Sequence, residues 1–212
     1  MATGTSTLSY TDLANSTQLQ QTVEAVQARG IKVHVVDTPA DALAKIHELV
    51  PAGSDIMTGG SQTLREIGLE ELLMAKTHPW VNLKDAILAE NNPEKQGQLR
   101  AQSTLAPYFL GSVHAIAESG EIVIASGSGS QIPSYAFSSK NVIWVAGTQK
   151  IVPTLDEAIR RVRQYVLPKE DARMKGLGYP GSAITKILIV EAEPAMIQRN
   201  VNLVLVKHLL GF

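Results

Sequence analysis

Apolar positions along the chain follow two alternating rhythms. Leu19, Val23 and Val26 recur at helical spacing behind a Thr17/Gln20 capping pattern, which predicts a helix that starts near Thr17 and is closed by Gly30. Ile31 to Val36 turns β-branched and reads as a strand. Thr38, Pro39 and Asp41 open a second helix, lined by Leu43, Ile46, Leu49 and Val50. Pro51 and Gly53 end it, and Asp55 to Thr58 is the next strand. Strand, helix and strand in so short a stretch form a βαβ unit, which implies parallel strands.

The middle of the chain is less regular. Ser61 to Met74 is expected to be helical in two pieces divided at Gly68, and Asn91 to Leu105 an exposed helix. Val113–Glu118 and Glu121–Ser126 are strands around a Ser119-Gly120 hairpin turn. Val142–Ala146 is almost purely apolar, as in a strand buried on both faces. Thr154 to Leu167 has the best helical pattern, with a Thr154/Glu157 cap, a stripe of Leu155, Ile159, Val162 and Val166, and a stop at Pro168. Ile184–Val190 and Val201–Val206 are the last strands, and the glycine-bearing segment 169–182 ahead of them is expected to be a mobile loop. The alternation predicts an α/β protein, a three-layer α/β/α arrangement around a mostly parallel sheet. Residues 1–15 read as a loose polar lead-in and residues 16–212 as a single domain, since no linker divides them.

Composition narrows the function. The 212 residues are 44% hydrophobic and 18% charged, which is ordinary for a globular chain. A net charge of −1 gives no long-range field to draw in nucleic acid or an anionic membrane surface, so any anion must be held locally. There is no cysteine, which excludes disulfides, thiolate zinc, a cysteine nucleophile and an iron–sulfur cluster ligated by this chain. The five histidines are scattered without close pairing, so no metal site is expected. The start of the sequence lacks the basic and apolar regions of a signal peptide, and no apolar run approaches ~18 residues, so a cytoplasmic location is expected.

Three segments run from an apolar strand straight into small polar residues: Thr58-Gly59-Gly60-Ser61-Gln62-Thr63, Ser126-Gly127-Ser128-Gly129-Ser130-Gln131, and Gly147-Thr148-Gln149-Lys150. In open α/β sheets such loops gather at the carboxyl ends of the strands, where ligands bind. Glycine lets backbone amides approach an anion and hydroxyls add donors, so the loops predict a phosphate- or carboxylate-sized site for a small anionic metabolite. Each loop taken alone is equally a tight turn, and Ser61 equally a helix cap. Lys150 and Arg173 are the cations suited to face such an anion. His114 either donates to a bound carboxylate or is a satisfied strand residue. Glu118, at a strand end, is a candidate nucleophile or base, or else a solvated hairpin carboxylate. Gly127 to Ile132 fails the dinucleotide fingerprint, because Ile132 stands where a third small residue belongs, and no segment has the Gly-Lys-Ser/Thr of a P-loop. No cofactor follows from these motifs.

The segments Gly111 to Gly120, Ala125 to Gln131, and Val142 to Val152, with Thr63 to Leu69 and Leu210-Gly211-Phe212, resemble the LUD (LutC-type, lactate-utilisation) domain family over about Thr17 to Phe212. The resemblance implies a fold like the group of glucosamine-phosphate isomerase, ribose-phosphate isomerase and coenzyme A transferase, with formyltetrahydrofolate cyclo-ligase similar too. It implies a role near lactate oxidation beside partner proteins that carry iron–sulfur clusters, and it brings no agreed catalytic residue. The chain is similar to short stand-alone members. Glu118-Ser119-Gly120 is similar to the Glu-x-Gly turn of coenzyme A transferases. Three functions follow: a non-redox component of lactate and organic-acid metabolism, an isomerase or acyl transferase using Glu118, or an interaction subunit that assembles, with itself or others, through its apolar closing strand.

Overall fold

A computed structural model describes residues 9–212. Helix α1 (Ser16–Ala28) begins one residue before Thr17, because Asn15 is the cap: Asn15 and Gln18 exchange reciprocal side-chain and backbone hydrogen bonds. Strand β1 (Lys32–Val36) leads to α2 (Pro39–Leu49), capped by the same reciprocal exchange between Thr38 and Asp41, with Pro39 in the first turn. Strand β2 (Asp55–Thr58) precedes α3 (Gln62–Glu66) and α4 (Leu69–Met74), which part at Gly68 in the left-handed region, φ 84°. Three elements without clear patterning follow or adjoin: β3 (Val81–Asn82), α5 (Leu83–Ala89) and, after α6 (Pro93–Gln102), strand β4 (Tyr108–Gly111). The hairpin of β5 (Ala115–Ala117) and β6 (Ile122–Ser126) comes next, then β7 (Asn141–Gly147) and β8 (Ile151–Val152).

Pro168 does not stop the following helix. Helix α7 (Leu155–Arg161) widens into a π-turn at Val162–Val166 and continues as α8 (Leu167–Gly176), with Pro168 in its first turn. There its missing amide is tolerated, since the wide turn has already broken the regular ladder. The expected mobile loop is therefore half helix, and only residues 177–185 lack regular structure before β9 (Lys186–Val190). Strand β10 (Asn200–Val206) is the last element.

The main sheet has six parallel strands in the order β1-β10-β7-β4-β2-β3. β1 and β2 are thus parallel but not neighbours, because β10, β7 and β4 stand between them. Val201, Leu203 and Leu205 of β10 pack with α1, while Val204 and Val206 pack with α2, α3 and α4 on the opposite face. This is the three-layer α/β/α architecture. One outer layer is augmented by a second sheet, β8-β5-β6-β9, in which β5 and β6 are antiparallel. Ile116, Ile122 and Ile124 of that sheet face Trp144 in the shared core, and Ala115, Val123 and Ala125 pack against Ala158 and Val162 behind it. Tyr135 stands edge-on between Phe109 and Trp144, with ring centroids 5.2 and 5.6 Å away.

Residues 1–8 of the expected lead-in lie outside the described residues. From Ser9 onward the lead-in is tied down: the Tyr10 ring lies 5.3 Å from Tyr165, and its hydroxyl donates to Glu157. No helix among the described residues is long and apolar enough to cross a membrane.

Candidate functional site

The turns after β2 and β6 and the residue Lys150 after β7 line one cavity of about 510 Å³. That volume is in the range of small-molecule sites. Gly59, Gly60, Ser61 and Thr63 come from the first turn, and Ser126, Gly127, Ser128, Ser130 and Gln131 from the second. The second turn belongs to the smaller sheet, so the site sits where the two sheets meet and not along one parallel edge.

Lys150 is the centre of the arrangement. The residue is 2% exposed, and its Nζ donates to Thr63 Oγ1 at 2.9 Å, Ser112 Oγ at 3.0 Å and the Val113 carbonyl at 3.1 Å. All three acceptors are neutral. Glu66 acts on it only through space, with its own carboxylate accepting from the Gly211 amide at 2.6 Å. Burial, aided by the Arg161 guanidinium and opposed by Glu66, pushes the Lys150 ammonium down to about 7.

The ammonium donates into the oxygens of both hydroxyls beside it. Ser112 accepts from Lys150, and its one proton has two acceptors in reach, Thr63 Oγ1 at 3.2 Å and the Val113 carbonyl at 3.3 Å. Thr63 Oγ1 accepts from Lys150 and lies in reach of the Ser112 proton, and it donates no hydrogen bond among the described residues. A hydroxyl carries one donor and two lone pairs, so this buried donor is left for whatever fills the cavity. His114 repeats the arrangement. Its Nδ1 accepts the Ala125 amide at 3.1 Å, which puts the ring proton on Nε2, and Nε2 has no partner among the described residues. Burial first, then Lys150 and Arg161, push the His114 imidazolium down to about 3, so the ring is a neutral donor at ordinary pH. Gln131 Oε1 accepts from Ser126 at 3.0 Å, which leaves its amide N–H groups for the cavity. Beside the Arg173–Glu170 ion pair, the walls thus present one unpaired cation, Lys150, and an excess of donors, a set that matches carboxylate or phosphate oxygens.

Arg161, fully buried on α7, donates to the His114 carbonyl and stacks over Tyr10 and Tyr165 at 5.7 and 5.1 Å. Neither it nor Ser112 and Tyr135 stood out in the sequence. The readable signal was Gly111: a Cβ there would lie 1.6 Å from the Tyr135 hydroxyl, so only glycine lets the ring close the cavity floor.

Several expected residues fall elsewhere. Arg173 reaches the cavity but is held by both oxygens of Glu170, at 2.7 and 2.8 Å, so it is not an unpaired cation. Gly147 does not line the cavity. A Cβ on it would meet the His208 carbonyl at 2.4 Å and the Leu210 amide at 2.9 Å, so its smallness serves the packing of the last residues. Gly129, φ 85°, packs its backbone against the Lys186 side chain. Thr58 lines an adjoining hollow. Glu118 is at the far end of β5 from His114, where it accepts from Gln18 at 3.0 Å and is not part of the cavity wall. Its hairpin resemblance to an acyl-transfer turn does not bring it to the site.

A three-layer α/β domain with a ligand-sized cavity where its strands end defines the class. The chain belongs to the LUD domain family, whose model matches residues 19–192. The fold is similar to that of a DUF162 family protein from Deinococcus radiodurans, with TM-score 0.52 and 14% identity over 92% of this chain and 98% of that one. A partial likeness, TM-score 0.38 and 15% identity over 56% of this chain and 44% of that one, links it to eIF2B beta from Chaetomium thermophilum. No curated protein matches the sequence.

Proposed function

We propose that this LUD domain protein is a cytoplasmic, non-redox component of lactate and organic-acid metabolism that binds a small carboxylate or phosphorylated metabolite around Lys150. One observation carries the reading: a buried ammonium with only neutral partners is surrounded by donors, Thr63 Oγ1 and His114 Nε2, that lack acceptors among the described residues. Thr63 is buried and His114 half-buried, and an anion in the cavity would accept from both and from the ammonium at once. The family supplies the metabolic setting. Electron transfer in that setting falls to cluster-bearing partner proteins, since this chain has no cysteine. Assembly through the closing strand has no support, because β10 is paired on both edges inside the main sheet.

Calorimetric titration with lactate, pyruvate and inorganic phosphate tests the proposal. Saturable binding to the native protein that is lost in Lys150→Met is the expected result. No heat from any of the three overturns it.

A further inference from the structure

A second hollow of about 110 Å³ adjoins the cavity, and Gly59, Gly60, Ser130 and Gln131 line both. Its floor is apolar, with Met57, Ile87 and Phe109, while its polar wall carries Lys84 and Arg100. Lys84 Nζ has one side-chain partner, Thr58 Oγ1 at 3.4 Å, and Arg100 reaches only Gln96, at 3.3 Å. Neither cation has an ion pair among the described residues. Burial, and then Arg100 and Arg65, lower the Lys84 ammonium; Glu70 opposes this from an ion pair with Arg65 at 2.9 Å. The strip between the hollows is open at Gly60, where a Cβ would meet no atom within 4 Å.

We propose that the two hollows are one bipartite site for a metabolite with anionic groups at both ends, a carboxylate at Lys150 and a phosphate at Lys84 and Arg100. The inference rests on the anion-binding reading of the main cavity. A single ammonium with hydroxyl donors suits a monoanion, whereas an ammonium beside a planar guanidinium suits the higher charge and bidentate geometry of phosphate. The bare strip at Gly59–Gly60 gives the connecting carbons their path.

The test compares matched probes: glycerate with 3-phosphoglycerate, and gluconate with 6-phosphogluconate. Calorimetry on the native protein is expected to show the phosphorylated member of at least one pair binding about tenfold or more tightly. That ratio should fall toward one in Lys84→Met and, separately, in the exposed-site variant Arg100→Gln. If the unphosphorylated acids bind and phosphate adds nothing, this inference fails while the anion site stands. A ratio that survives both substitutions also overturns it. If no probe binds at all, both readings fall together.

Discussion

At the scale of single residues, Lys150 sets the pH behaviour. Its ammonium is lowered from 10.5 to about 7 in the fold, chiefly by burial. Between those values the unfolded chain holds a proton that the folded one has lost, so stability rises with pH across that window, and below about pH 7 the full penalty of the buried charge is present. Anion affinity runs the other way, because it needs the proton. Titrating phosphate or lactate at pH 6 and pH 8.5 should show weaker binding at the higher value, and Lys150→Met should remove both the affinity and the pH dependence. The neutral His114 adds no step near pH 6.5. Gly147 tests a different role: Gly147→Ala should lower stability in urea by about 1–3 kcal/mol, from overpacking against the His208 and Leu210 backbone, and should leave the cavity walls untouched. These residues also mark what the sequence could reveal. Lys150 was visible because a cation followed a strand and a small-residue turn. Gly147, in the same turn, had the same signature for a packing reason, and Glu118 had a hairpin's signature; only spatial neighbours separate such cases.

At the scale of elements, local chemistry predicted well wherever the cap was local. Thr38 with Asp41 and the division at Gly68 formed as read, and the first helix differed only in which polar residue, Asn15 in place of Thr17, closed the exchange. The failure at Pro168 was of another kind, since a π-turn is set by how Val162 and Val166 pack and leaves no composition signal. Strand β4 escaped notice because four residues ending in glycine carry no period. Helix α7 earns its position through Arg161, whose guanidinium holds the carbonyl of His114. In Arg161→Met that cation is gone, so Lys150 and His114 keep their protons more easily. The pH midpoint of anion binding should therefore move upward, which calorimetry across pH 6 to 9 would record; an unchanged midpoint would disconnect Arg161 from the site.

At the scale of the whole molecule, the α/β layering followed from the alternation of helix and strand patterns, but strand order did not. The βαβ reading gave parallel strands correctly and missed that three strands, each from later in the chain, come between β1 and β2. The division into two sheets was equally hidden, because β6 and β7 are comparably apolar. Mobility follows burial. No residue from Leu167 to Ile189 is buried, and Gly178 and Gly181 adopt positive φ within that span. Its backbone amides outside α8, residues 177–185, should exchange with solvent fastest in the free protein, and should slow when an anion occupies the cavity that Gly181, Ser182 and Ala183 line. Hydrogen exchange with and without phosphate would show it.

The placement of β10 also has a consequence for how the protein is made. The central gap of the main sheet, between β1 and β7, is filled by residues 200–206, after everything else in the sheet has left the ribosome. Until then Trp144's strand has β4 on one edge and no neighbour on the other, and the nascent chain exposes an open, apolar parallel edge. A ribosome-bound chain stalled at residue 190 should remain protease-sensitive throughout, whereas the released 212-residue chain, which holds the final strand, should be resistant.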